Sequence, residues 1–415
     1  MKKVIGLFII FSPFTSYFAL SSWLRFPVVI ILFLVVLFFV TTLVTKSIPS
    51  NFFKVTSSEI ILFVLLGLIC ISFLINHEKR LAINHVLAYA FAFIVYFMLF
   101  RRIVESKDLR YEFVLKMFAY SALICGLIIV ADWVLINTIG IGFRRSFVNL
   151  DNRTANMDYY ANPYFMTVGG VAEEPGSMGL FVNIIFPLGL LYCSLSKRFR
   201  FLFVLLVMYV LSLFFLFSTA AILNVIIALI FVAVITALRH QGNFRVHKYF
   251  AGLMVLFVFI SIGASIFLVV KRYDILVSQF DTIKSKIFLK EESVSASERS
   301  ETWQIAIDQW KESPFFGNGP GRGTRLLTTG YHSVYLTLLS DTGILSLIVF
   351  IVFISYQLWK VLQIRPALGN YLVIPLIATL LHFVVVGDFY HAPFWILLVV
   401  IHMVFRSEKL KSAAT

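Results

Sequence analysis

Twelve apolar stretches alternate with short polar turns along this chain, running approximately over 4–20, 27–45, 59–75, 81–100, 113–136, 177–194, 201–217, 220–238, 249–270, 333–358, 371–386 and 392–405. Most approach the roughly 20 residues that a helix needs to cross a bilayer. Lipid satisfies no backbone N–H or C=O, so each stretch must bond to itself as a helix. A barrel would instead show alternating segments of roughly ten residues. Two polar segments interrupt the rhythm, at about 137–176 and 271–332. The pattern predicts an all-α polytopic membrane protein with about 12 transmembrane helices, a single membrane domain over 1–415. Its two long loops lie on one face, and the second contains a short amphipathic helix. Transporters usually keep their polar groups inside the spans. Here they collect in the loops, as an enzyme acting on a lipid-linked substrate requires.

Composition agrees: the chain is 60% hydrophobic and 13% charged, with a mean hydropathy of +0.93, beyond what a water-soluble fold buries. The net charge of +14 does not point to nucleic acid, because it is divided into clusters between the spans. With both termini inside, 19 Lys and Arg fall in cytoplasmic segments and three in short outer loops. That bias places both long loops outside, since long loops cross regardless of charge.

Met1 to Leu20 has features of a signal peptide ending at Ala19-Leu20-Ser21, but Phe14, Tyr17 and Phe18 near that point favour an uncleaved first helix. The apolar run through Ser218-Thr219-Ala220 is long enough to cross twice, which predicts two helices. Cys70, Cys125 and Cys193 lie in spans and read as core residues, and no His/Cys set has metal-ligand spacing. No internal repeat is evident, which argues against an inverted-repeat transporter.

The second long loop carries the densest chemistry. Ser297 to Ser313 fits an amphipathic helix with Trp303, Ile307 and Trp310 on one side and a capping box at Ser295-Ala-Ser-Glu298. It is either an interfacial helix or a cover over a cavity, with Arg299 near its start aimed at a phosphate. Gly317-Asn-Gly-Pro-Gly-Arg-Gly323 must be a tight loop. It either offers backbone N–H groups to an anion or simply returns the chain to the membrane; it lacks the Gly-Lys-Ser/Thr ending of a nucleotide loop. Arg322 suits a diphosphate, because a guanidinium pairs with phosphate oxygens in bidentate fashion. His332, at the start of the next span, is either an interfacial polar residue or suited to accept a proton or to donate to a leaving phosphate. Asp341 lies too far along that span to touch His332, and either acts in the site or caps a partner helix.

The first long loop holds Arg144, Arg145 and Arg153, then Glu173-Glu174-Pro175-Gly176 leading into a span. One glutamate is a candidate base for a sugar hydroxyl, and the arginines are candidates for phosphates or acidic sugars. Otherwise the two acids complement a helix N-terminus. Asp388 and His391 share a short outer loop, with Asp132 and His382 at nearby helix ends.

Arg299 to Trp303, the Pro-x-x-Gly-x-Gly-x-Gly turn over Pro314 to Gly321, the His-Ser-x-Tyr-Leu stretch at His332 to Leu336, and Asp341-Thr-Gly343 together resemble the C-terminal signature of the O-antigen polymerase/ligase superfamily. The Glu-Pro-Gly element is similar to a polymerase feature. One departure stands out: where the family often has Ser-Arg, this chain has Phe217-Ser-Thr-Ala-Ala221 without arginine. The resemblance implies a glycosyltransferase that uses undecaprenyl-diphosphate-linked glycans as donor and acceptor, without metal or other cofactor. Membrane lipid and a chain-length regulator protein are its expected partners. It also implies His332, Glu173 or Glu174 as base, with Arg299 and Arg322 holding the diphosphate. Arg144, Arg145, Arg153, Asp388 and His391 are further candidates for substrate contact. A repeat-unit polymerase is expected first, an O-antigen ligase second and a glycolipid flippase third.

Overall fold

A computed structural model of the chain describes residues 1–16, 24–46, 52–76, 79–140, 161–162, 165–239, 294–327, 330–387 and 389–414. The first half comprises α1 (Lys2–Phe11), α2 (Phe26–Thr45), α3 (Ser57–Ile75), α4 (Lys79–Ala90), a π-helical turn (Phe91–Leu99), α5 (Phe100–Ser106) and α6 (Tyr111–Ile139). A two-residue hairpin of β1 (Ala161–Asn162) and β2 (Phe165–Met166) follows. Next come α7 (Pro175–Leu195), α8 (Phe199–Leu216), α9 (Thr219–Arg239), α10 (Val294–Glu312), α11 (Arg322–Leu327), α12 (Val334–Gln363), α13 (Pro366–His382) and α14 (Ala392–Ala414). Among the described residues, eight helical runs are long and apolar enough to cross a membrane: α2, α3, Ala82–Ser106, α6, α7, α8, α9 and α12. The chain is therefore a helical, multi-pass membrane protein.

Several boundaries differ from the hydropathy reading. The first helix stops at Phe11 rather than near residue 20, because Pro13 has no N–H with which to continue it. Residues 12–16 form a buried turn, and both the N–H and Oγ of Ser16 donate to Val171 O, at 3.2 and 3.0 Å. The run through Ser218 is indeed two helices, separated where Phe217 adopts φ +48°. α13 begins at Pro366 and ends at His382, earlier at both ends than hydropathy indicates. The expected span 249–270 lies outside the described residues.

The chain divides into two compact units. The first holds Met1–Leu34, Arg110–Lys284 and Ile364–Thr379; the second holds Val35–Leu109, Ser285–Gln363 and Leu380–Thr415. In the first, α7 is buried almost throughout. α6 reaches its backbone closely, since a Cβ on Gly189 would sit 3.0 Å from Ala119 Cα. Small residues give close packing between helices where lipid provides no hydrophobic drive. Asn183, inside α7, donates to Ala221 O at 2.8 Å and accepts from the Tyr209 hydroxyl at 2.9 Å, which satisfies a polar group that hydrocarbon would leave orphaned.

In the second unit, clustered rings including Phe93, Phe97, Phe389 and Trp395 pack the core. An ionic network joins α3, α5, α12 and α14. Arg101 pairs with Glu59 at 2.8 Å and with Glu105 at 2.7 Å, and Arg102 reaches Glu59 at 3.3 Å. Glu105 also meets His402 and Arg406. Lys360 Nζ donates to Ser58 Oγ at 2.6 Å. The charge count places Arg101 and Lys360 in cytoplasmic clusters between spans; both are buried, as is Glu59. Truncating one partner of such a pair strands the other charge. Arg101→Ala is expected to cost about 3–5 kcal/mol, seen as a lowered thermal midpoint of the detergent-solubilised protein. A midpoint within about 1 °C of wild type would refute the structural role assigned to Arg101.

Candidate functional site

The signature residues of the second unit assemble around a break in a helix. At Gly343, α12 leaves helical geometry, with φ +84° and ψ +172°, a conformation essentially restricted to glycine. The break frees backbone groups at 340–344, and the segment after α10 takes them up. Asn318 N–H donates to Ser340 O, Gly319 N–H to Asp341 O, and Ile344 N–H to Pro314 O, each at 2.9 Å. From α3, Ser72 Oγ donates to Asp341 O at 2.9 Å and Asn76 Nδ2 to Gly317 O at 3.4 Å. Irregular backbone at membrane depth persists only when the surrounding protein satisfies it, and this loop does so bond by bond.

Asp341 organises the loop. Its side chain is buried, and its carboxylate accepts from Gly321 N–H at 2.7 Å and Gly323 N–H at 3.2 Å, capping α11. The glycine loop's amides therefore cradle a carboxyl group that is the protein's own. Of the two readings of this loop, external anion cradle or return turn, the bonding supports the second.

Arg322 opens α11, and its Nε donates to Gln309 Oε1 on α10 at 3.1 Å. Arg325 lies three residues on in the same short helix, and both guanidinium charges act on the buried Tyr331. Burial, followed by the Asp341 carboxylate, pushes the Tyr331 hydroxyl up to about 12, so it keeps its proton at neutral pH. That hydroxyl accepts from Ser340 Oγ at 3.0 Å. Next to it, His332 sits at φ +51° in the turn before α12. The turn is docked by Val334 N–H on Phe383 O at 2.9 Å and Tyr335 Oη on Leu380 O at 2.9 Å. Arg322, Arg325 and Tyr331 are thus held by one loop assembly around Asp341, and His332 follows Tyr331 in the turn before α12. The sequence reading missed Arg325, Gln309 and, on α4, His85. His85 lies against Gly321, where a Cβ would come within 2.8 Å of its Nε2. A Gly-rich loop flanked by arginines points to the first of these but contains no sign of a histidine arriving from α4.

α10 begins at Val294, so Ser295 lies inside the helix rather than at its cap. Among its described side chains Thr302 and Ala306 are buried, whereas Trp303, Ile307 and Trp310 are half-buried. Small residues face inward because α10 packs on α12, and Trp310 Nε1 turns to Pro314 O at 3.0 Å. Arg299 is half-buried in the second turn, and its carbonyl accepts from Thr302 Oγ1 at 3.0 Å.

In the first unit, Glu173 forms an ion pair with Arg25 at 2.5 Å, and Glu174 is the N-cap residue of α7, accepting from Ser177 Oγ at 3.1 Å. His391 precedes α14 and is half-buried; Asp132 and His382 are buried. Arg144, Arg145, Arg153 and Asp388 lie outside the described residues.

Fold and site thus define a multi-pass helical membrane protein whose cationic residues and a histidine are presented by a loop that completes a broken helix. Residues 201–351 match the family model described as O-antigen ligase, which supports the O-antigen polymerase/ligase superfamily for this chain. At that level the match implies glycosyl transfer in O-antigen biosynthesis. The matched stretch includes the glycine loop, His332 and the break at Gly343, and leaves out Glu173 and Glu174. The search of curated proteins finds no match to the chain.

Proposed function

We propose that the protein polymerises undecaprenyl-diphosphate-linked oligosaccharide repeat units into O-antigen or a related surface polysaccharide on the outer face of the bacterial cytoplasmic membrane. One observation carries this reading: a single loop assembly, inside the stretch that matches the family, holds Arg322 and Arg325 beside the buried Asp341, with His332 in the turn that follows. An acceptor sugar hydroxyl attacks the anomeric carbon of the donor, His332 takes its proton, and the glycosyl–oxygen bond to the diphosphate breaks. Arg299 and Arg322 meet the charge of the departing lipid diphosphate, which needs neither nucleotide nor metal to leave. Glu173 and Glu174 are the alternative bases, although each already has a local partner. The family description favours a second reading, ligase transfer of the finished chain to lipid A-core. The Glu-Glu-Pro-Gly element before α7, outside the matched stretch, favours the polymerase.

A clean deletion with surface glycolipid resolved on a gel decides among these. Under the polymerase reading, long chains vanish and core bearing one repeat unit persists. Bare lipid A-core with long chains accumulating on undecaprenyl diphosphate would establish the ligase. Repeat units trapped on the cytoplasmic face would sink the enzyme reading in favour of a flippase. Arg322→Ala should lower the rate of chain growth on the order of 100-fold, measured with purified protein and a lipid-linked repeat unit. Wild-type rates would remove Arg322 from the mechanism.

A further inference from the structure

His85 belongs to no signature motif, lies outside the stretch that matches the family and sits on α4, more than 200 residues from the loop it touches. Its ring presses on Gly321, which has φ +79° and no room for a Cβ: the added carbon would overlap His85 Cδ2 and lie 2.8 Å from Nε2. Gly321 is also the residue whose N–H is bound by Asp341. The loop is therefore gripped through its backbone by an acid and contacted by an imidazole immediately before Arg322. On its other edge, His85 Nδ1 lies 3.2 Å from the Tyr390 hydroxyl. Tyr390 is itself braced by Tyr89, with ring centroids 5.2 Å apart, and by Phe389 at 5.7 Å.

This arrangement does more than fill space. A leucine would pack against Gly321 as well as an imidazole, and would need no tyrosine hydroxyl behind it. When Tyr390 donates to Nδ1, the neutral imidazole carries its proton on Nε2. That nitrogen lies on the ring edge against the glycine loop. We propose that His85, oriented by Tyr390, is a phosphate-binding residue of the site, its Nε2–H donating to a phosphate group held at Arg322. The inference rests on the lipid-diphosphate reading above and adds to it a residue that the signature does not contain.

The test uses full-length protein in lipid nanodiscs and two probes sharing one tail, undecaprenyl diphosphate and undecaprenol, with binding read by tryptophan fluorescence. His85→Ala should weaken undecaprenyl diphosphate binding on the order of tenfold, the loss of one hydrogen bond to a charged group. It should leave undecaprenol binding and the thermal midpoint unchanged. His85→Gln, which retains an N–H donor, should recover most of the affinity. Tyr390→Phe, which keeps the ring but frees the imidazole, should lose about threefold, as for one neutral hydrogen bond. The proposal is overturned if His85→Ala binds the diphosphate like wild type, or if both probes weaken together in step with a falling midpoint. Should His85→Ala fail to fold, Tyr390→Phe decides, and wild-type affinity there counts against the proposal. Wild-type protein unable to distinguish the two lipids would instead sink the lipid-diphosphate reading itself.

Discussion

Asp341→Ala is expected to abolish chain growth, with a loss on the order of 1,000-fold, larger than that from removing either arginine alone. Arg322→Ala removes one ligand contact. Asp341→Ala removes the acceptor for two buried amides, Gly321 N–H and Gly323 N–H. An unsatisfied buried donor costs about 1–3 kcal/mol, enough for the loop to leave its place rather than bear two. Arg322 and Arg325, which leave the loop on α11, would move with it. Asp341→Asn separates charge from geometry: its single carbonyl oxygen can accept from one amide while its NH2 group opposes the other. It should retain part of the activity, between alanine and wild type. Both variants are assayed with a purified lipid-linked repeat unit, and proteolysis near 313–330 reports loop order. Asp341→Ala with near-normal turnover would show that the loop's bonds to this carboxylate are incidental.

The second large effect is expected at Gly343. A valine there meets two independent penalties. The backbone conformation is nearly closed to any residue with a Cβ, at about 1–3 kcal/mol. The added carbon would also overlap the Phe315 carbonyl, which is backbone and cannot swing aside. The same crowding applies at Gly317, whose Cβ would overlap the Asp341 carbonyl carbon. Gly343→Val should therefore express poorly and be inactive. Gly67, on α3, has nothing within 4 Å of its Cβ position and should accept alanine without loss. Normal expression and turnover of Gly343→Val would mean that α12 is not broken in the working protein.

The class of this protein is plain in its hydropathy because lipid imposes length and helicity on every crossing. The division at Phe217 also follows from length alone. The break at Gly343 does not. A single glycine in an apolar run is compatible with continuous helix, and only the approach of Pro314–Gly319 decides otherwise. The burial of Arg101, Glu59 and Lys360 is hidden for a related reason: residues flanking a span look the same in sequence whether they face water or one another. Arg322 and His332 stand out because charged and titratable residues beside a glycine run are conspicuous. Asp341 is visible as an acid within a span, but its partners are amides 18 and 20 residues away, and hydrophobic periodicity carries no record of which loop folds back on which turn. His85 is less visible still, since its contact is with a glycine.

The bonds between Pro314–Gly319 and Ser340–Ile344 also bear on how the chain is made. α12 is not a self-sufficient cylinder that can enter lipid finished, because at its break it lacks partners that only the preceding loop supplies. That loop precedes α12 in the chain and is synthesised first. Insertion of this helix and placement of the loop are accordingly a single event. A lesion in the glycine run should appear first as protein removed by membrane quality control, and only afterwards as slow chemistry.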